Sequence, residues 1–223
     1  MSQLSNQSST SPSPISTVYL FGLLTVVSLA LVWANNEFVL TKEVFLALAG
    51  NPQSSFQVDM QYETVRRMTI WGYGFAPLQT AFRIGFVALV AQMICLLGGI
   101  ELPFGKVFRV SATAFWATIF GSLLQIVWIA KQSANTITRV SLEIVPDSLA
   151  AWLTFPNELP SPLYHTLSRA SITSLLWMLL LYWGLRETNQ LRPAGAVVVT
   201  TATWLVVSAL SVGTTVFAQQ LVG

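Results

Sequence analysis

The chain has 223 residues, of which 53% are hydrophobic and only 9% are charged, against about 25% charged residues in an ordinary soluble domain. This composition excludes a soluble globular fold, because a protein of this size would lack the polar surface to cover itself, and long uncharged runs indicate lipid as the solvent. The net charge of +2 is small and scattered, which excludes a nucleic-acid binder, since such proteins cluster lysine and arginine on one face.

The apolar runs predict about five membrane-spanning helices. A spanning helix needs about 20 mostly apolar residues, and fewer where flanking side chains reach the interface. The segments that meet or approach this length are 15–33, 84–100, 110–130, 170–185 and 194–218. The second can extend back through Leu78 if Arg83 snorkels towards the headgroups, which makes Arg83 a candidate lipid-headgroup contact. The predicted fold class is all-α, a polytopic transmembrane helical bundle.

The connections between these spans alternate in character. Two are short polar turns, at 101–109 and 186–193, and each holds two basic residues and a helix-breaking glycine or proline, as expected between antiparallel neighbours. The other two, 35–83 and 131–169, are long and carry apolar residues at helical spacing. This spacing predicts interfacial helices in both long loops. Ordinary surface loops are the alternative.

The amino end, 1–14, is rich in serine and glutamine and has no charged side chain, so a disordered polar tail is predicted. The remainder, 15–223, is predicted to form a single transmembrane domain. The first span could instead be a cleaved signal peptide, but its apolar stretch is long and no basic residue precedes it. Basic residues near the span ends favour a cytoplasmic amino terminus, and the predicted location is the bacterial inner membrane.

Few side chains in the chain are of the types that carry chemistry. His165 is the single histidine, and Cys95 is the single cysteine and lies in an apolar run. The acidic residues all fall between the predicted spans, which argues against a proton-coupled transporter. We therefore expect no catalytic residue, metal or cofactor, and no enzymatic activity.

Small and polar side chains form stripes on two of the predicted spans. In lipid, close backbone approach and interhelical hydrogen bonds hold helices together. These stripes are therefore candidate helix-packing or partner contacts, within the chain, with a second copy, or with another membrane protein. The candidate residues are Ala117, Gly121 and Gln125 in the third span and Thr201, Ser208, Ser211 and Thr215 in the fifth.

Two passages resemble the Yip (Ypt-interacting protein) domain family. Leu96-Leu97-Gly98-Gly99, the turn at 104–106 and the start of the next span resemble the middle of that domain, and 176–185 with 194–199 is similar to its final helical pair. The resemblance covers about 75–213 and implies a multi-span helical membrane protein.

The chain also departs from the Yip pattern. Family members often have Asp, Phe and Trp where this sequence has Ser171, Thr173 and Leu176. Eukaryotic members have a long cytosolic amino segment implicated in meeting prenylated Rab GTPases, whereas this tail is short and uncharged. A Rab GTPase partner is therefore doubtful, and the bacterial and archaeal relatives are closer.

The sequence favours a non-enzymatic scaffold or adaptor in a membrane complex or in membrane organisation, because long spans accompany very few reactive side chains. Membrane lipids are the expected surroundings, and a membrane-protein partner or a second copy is the expected contact. The alternative function is a transporter or permease subunit, in which the polar stripe of the fifth predicted span would line a path.

Overall fold

The computed structural model describes residues 14–49, 55–133, 137, 142, 145–153 and 162–222. The predicted disordered tail, apart from Pro14, lies outside the described residues. The helices are α1 Pro14–Phe38, α2 Lys42–Ala49, α3 Ser55–Leu97, α4 Phe104–Ala130, α5 Leu149–Leu153, α6 Pro162–Ser168, α7 Ile172–Glu187 and α8 Pro193–Val222. Within the described ranges the fold is all-α, as predicted, and one isolated β-bridge joins Ser148 to Ser171.

Four of these helices, α1, α3, α4 and α8, are long and apolar enough to cross a membrane. The protein is therefore an integral membrane protein. Three of the predicted spans, 15–33, 110–130 and 194–218, lie within these helices, and the predicted span 84–100 overlaps the end of α3. The segment predicted as the remaining span, 170–185, corresponds to α7, which has 16 residues. At about 1.5 Å per residue α7 is about 24 Å long, somewhat short of the hydrocarbon thickness of about 30 Å.

Helix α3 differs most from the prediction. It has 43 residues, about 64 Å, so the second half of the loop predicted at 35–83 is helical but continuous with the span. Charged side chains there do not end a helix, and Glu63 and Arg67 pair across one turn at 3.7 Å. Pro77 lies inside α3 and removes one backbone hydrogen bond. From Pro77 to Leu97, α3 has the length of a membrane crossing.

The short helix α2 packs against the first part of α3. Lys42 and Asp59 form an ion pair at 2.7 Å, and the rings of Phe45 and Tyr62 meet edge to face with centroids 5.7 Å apart. The long loop predicted between the first two spans is therefore shorter than expected, because α3 supplies much of it.

Three apolar clusters hold the bundle together. The largest joins α3, α4, α7 and α8 at the end of the bundle where the short turns lie, and it includes Cys95, Val107, Leu185 and Ala196. A second cluster packs α1 against α3 and α4 through Leu24, Ile84, Ala112, Phe115 and Ile119. The third joins the ends of α1 and α4 to α2 and to Ile137. The α3–α4 and α7–α8 turns thus share one end of the bundle.

The turn after α3 is set by Gly99, whose φ is +70°. The backbone N–H of Ile100 donates to the carbonyl of Cys95 at 2.9 Å, and that of Gly99 donates to Leu96 at 3.0 Å. This is the hydrogen-bond pattern of a Schellman cap, which glycine favours because it adopts positive φ without strain. The cap explains why the predicted span ends here and α4 turns back.

Helices α4 and α7 approach each other very closely at two points. A Cβ atom added to Gly121 would lie 2.7 Å from Cγ2 of Thr173, and one added to Gly184 would lie 2.6 Å from Cγ1 of Val110. Val110 and Gly121 are 11 residues apart, as are Thr173 and Gly184, so the two contacts are about 16 Å apart along both helices. Glycine at each contact permits an antiparallel pair of unusually small separation.

Candidate functional site

The start of α7 is built by a non-helical segment that folds back against it. The backbone N–H of Leu149 donates to the carbonyl of Ala170 at 2.9 Å, and that of Ile172 donates to the carbonyl of Asp147 at 3.3 Å. The Asp147 carboxylate also accepts from the backbone N–H of Thr173 at 2.7 Å and from the Thr173 hydroxyl. These bonds satisfy backbone groups next to the membrane-spanning helices, where water is scarce.

This pairing holds Arg169 against α8. Nη2 of Arg169 donates a hydrogen bond to Oγ of Ser211, and Nε is buried without a hydrogen-bond partner. In the part of the chain that the structure describes, no carboxylate lies within ion-pair distance of Arg169. Arg169 is thus a half-buried cation whose Nε–H has no hydrogen-bond acceptor.

A cavity of about 770 Å³ lies between α4, α7, α8 and the segment around Arg169. We call it the inner cavity. Of the 16 residues that line it, eight are serine or threonine and two are tryptophan. The lining residues are Thr118, Gly121, Ser122, Gln125, Val145, His165, Ser168, Arg169, Ser171, Thr173, Ser174, Trp177, Trp204, Val207, Ser208 and Thr215.

A second cavity, of about 410 Å³, lies between α1, α3 and α4. We call it the outer cavity. Arg83 lines it, with Thr80 and Gln79 of the same helix and Asn35 of α1. Arg83 is exposed, and among the described residues it has neither an ion-pair nor a hydrogen-bond partner. The two cavities thus each contain one arginine.

Three polar residues of α4 line both cavities. Thr118, Ser122 and Gln125 are spaced four and three residues apart, which places them on one face of the helix. The Ser122 hydroxyl donates to the carbonyl of Thr118 at 3.1 Å, and Nε2 of Gln125 donates to the carbonyl of Leu142 at 2.9 Å. This α4 polar stripe borders both the cavity with Arg83 and the cavity with Arg169.

The residues singled out in the sequence are distributed over this site and the packing around it. Gly121, Gln125, Ser208 and Thr215 line the inner cavity, and Ser211 binds Arg169.

Two others line neither cavity. Ala117 is fully buried, and Thr201 is half-buried. Arg83, predicted as a headgroup contact, lies in the outer cavity.

Sequence reasoning identified Gln125 of the α4 polar stripe as a candidate contact, but not Arg169, Thr118 or Ser122. The stripe had a detectable signal, because Thr118, Ser122 and Gln125 recur at helical spacing within an apolar span. Arg169 had none, since a basic residue at the start of an apolar run is typical of a membrane boundary. Only the pairing of the segment around Asp147 with the start of α7 places it inside the protein.

The described residues contain no group of three or more histidine, cysteine, aspartate or glutamate side chains that could hold a metal ion. No family model, no curated protein and no solved structure matches this chain. The resemblance to the Yip family therefore stays a prediction.

Proposed function

We propose that the protein is a five-span, non-enzymatic membrane protein that holds or passes a small polar solute in the inner cavity, as a transporter or permease subunit does. The polar lining of that cavity supports this function. Polar side chains are rare within membrane-embedded bundles and usually face a water-filled space or a functional partner.

In this proposal α7 is the remaining crossing. It packs more extensively against α4 than any other pair of the described helices does, and its other faces expose apolar side chains such as Leu175, Leu179 and Trp183. The segment paired to its first residues makes up for its short length. The proposed location is the bacterial inner membrane, in line with the bacterial members of the family it resembles.

Water access to the inner cavity tests this function directly. Single cysteines at Ser208, in the cavity wall, and at Leu210, which is 51% exposed on the outer surface of α8, differ by about 3 Å in depth. In a Cys95→Ala background in proteoliposomes, a membrane-impermeant thiol reagent should modify Ser208→Cys and leave Leu210→Cys unmodified. Equal protection of both positions would contradict a solute route through this cavity.

A cavity-filling variant provides a second readout in the same assay. Ser208→Leu and Thr215→Leu together should slow the modification of a cysteine at Thr118, on the opposite wall of the inner cavity. Val206→Leu, on an exposed face of α8, is the matched control and should leave the rate unchanged.

One observation favours the scaffold or adaptor function as a second candidate. The part of α3 before Pro77 contributes to none of the three apolar clusters, and it exposes Met68, Ile70 and Trp71. Contiguous exposed apolar side chains are typical of protein contacts.

Purification in mild detergent tests this second function. A partner protein should co-purify in a fixed stoichiometry and be lost in the Met68→Ser, Trp71→Ser double variant, but retained in Leu97→Ser, whose side chain is exposed at the other end of α3. A complex that survives the double variant would place the partner elsewhere.

A further inference from the structure

We propose that the inner and outer cavities together form a binding site for an oxyanion, a phosphate, sulfonate or carboxylate group, with Arg169 and Arg83 as its cationic ligands. This inference deepens the proposed function, since it rests on an inner cavity that a polar solute can enter, and it names the chemical class of that solute.

Arg83 and Arg169 have no acidic partner among the described residues. The ion pairs among the described residues, Lys42 with Asp59 and Glu63 with Arg67, both lie on α2 and the first part of α3. Neither Arg83 nor Arg169 takes part in them. No carboxylate in the described part of the chain lines either cavity. Oδ2 of Asp147 accepts from Thr173, and its Oδ1 is buried without a hydrogen-bond partner.

Arg83 and Arg169 lie at similar heights in the bundle. Arg83 lies 14 residues before the end of α3, and Ser211, which binds Arg169, lies 18 residues after the start of α8. Since these two helix ends share one end of the bundle, the arginines lie about 21 Å and about 27 Å from it, towards the opposite face of a hydrocarbon layer of about 30 Å. Two positive charges at similar height, neither with a carboxylate partner among the described residues, attract an anion to the space between them.

The N–H donors of Arg169 match the oxygen atoms of an oxyanion. A guanidinium presents five N–H groups in a planar fork that suits the oxygen atoms of phosphate and carboxylate. Arg169 uses one of its donors on Ser211, while its Nε is buried and unpartnered. The α4 polar stripe, which borders both cavities, adds hydroxyl and amide groups. An oxyanion beside this stripe would be attracted by both charges.

Two sources could supply such a group, a phospholipid headgroup or a soluble anion. The chemistry is the same for both. The experiment below therefore contains one arm for each source.

Thiol reagents of opposite charge measure the local potential. In the Cys95→Ala background, Thr215→Cys would react with a sulfonate-bearing and with a trimethylammonium-bearing methanethiosulfonate. We expect the anionic reagent to react about tenfold faster than the cationic reagent, after each rate is divided by its rate with a free thiol. Arg169→Gln and Arg83→Gln should each lower this ratio of anionic to cationic rates several-fold. Arg169→Lys, which retains the charge, and Arg67→Gln, outside the cavities, should preserve it.

The outcomes separate the two proposals. If neither reagent reacts, the cavity is closed to solutes and the proposed function fails with it. If both react with a normalised ratio near unity, or if Arg169→Gln leaves the ratio unchanged, the polar route remains and the oxyanion site is overturned.

Protection against the anionic reagent identifies the source. Inorganic phosphate at millimolar concentration should slow the reaction of Thr215→Cys if the ligand is a soluble anion. If the ligand is a lipid, nanodiscs containing phosphatidylglycerol should slow it relative to nanodiscs of phosphatidylcholine alone. The site is overturned if neither phosphate nor phosphatidylglycerol slows the reaction, so that the protein with Arg169 behaves like the Arg169→Gln variant.

Discussion

Gly184 and Gly121 allow α4 and α7 to pack closely because glycine has no side chain. Each lies where a Cβ atom would come within 3 Å of a side chain on the facing helix, a distance that atoms in a packed interior do not adopt. Because dispersion and close packing hold helices together in lipid, the missing side chains bring α4 and α7 into extended contact.

We therefore expect Gly184→Ala to destabilise the protein by about 1–3 kcal/mol, as overpacked interiors are. Thermal unfolding in detergent measures the effect, and Val110→Ala should restore part of the loss by removing the two clashing methyl groups. Gly85→Ala is the matched control, since a Cβ there meets nothing within 4 Å and alanine favours the helix by up to about 1 kcal/mol. Equal effects at both glycines would contradict the contact.

How far single residues could be predicted depends on whether their role is local. Gly121 and Gln125 belong to a pattern along one helix, so the sequence singles them out. Gly184 and Arg169 act through partners on other helices, Val110 and Ser211, and such pairs lie 74 and 42 residues apart in the chain. No periodicity along one helix contains that information.

At the scale of helices and their ends, the start of α7 depends on one carboxylate from a distant segment. Asp147 accepts hydrogen bonds from the backbone and the hydroxyl of Thr173, and a negative charge there is favourable because the helix dipole is positive at its N-terminus. The Ser171 side chain adds a local cap by accepting from the backbone N–H of Ser174 at 3.0 Å.

We expect Asp147→Ala to cost about 1–3 kcal/mol, because it leaves donors at the α7 terminus without a partner. Asp59→Ala is the control, since its ion pair with Lys42 is half-exposed and such pairs contribute at most about 1 kcal/mol. Apparent melting temperatures in the same detergent compare the two. A smaller loss for Asp147→Ala than for Asp59→Ala would show that the cap is dispensable.

The helices could be predicted from the sequence better than their ends. Hydropathy identifies the stretch of α3 that is apolar, but the helix continues through Asp59 and Glu63 because charge does not interrupt backbone hydrogen bonding. For α7 the apolar run in the sequence begins within two residues of the start of the helix. The length of the proposed crossing nevertheless depends on the segment around Asp147. Hydropathy indicates whether a helix lies in lipid or in water, but hydrogen bonds determine where the helix ends.

For the molecule as a whole, the two short turns provide a test of topology. If α7 crosses the membrane, Glu101 after α3 and Asn189 after α7 lie on the same side; if α7 does not cross, they lie on opposite sides. We expect cysteines at both positions to react with an impermeant reagent from the same face of oriented vesicles, and one at Gln132 to react from the other face. Labelling of Glu101→Cys and Asn189→Cys from opposite faces would reduce the protein to four spans.

The paired glycine contacts also have a mechanical consequence. Two points of close approach, three helical turns apart, fix both the rotation and the tilt of α7 against α4, so this pair behaves as one rigid strut. If a solute enters the inner cavity as proposed, the walls left to move are α8 and the segment around Arg169. The apolar cluster near the short turns would then be the fixed end of α8. Such a motion would break the hydrogen bond between Arg169 and Ser211, which joins these two walls.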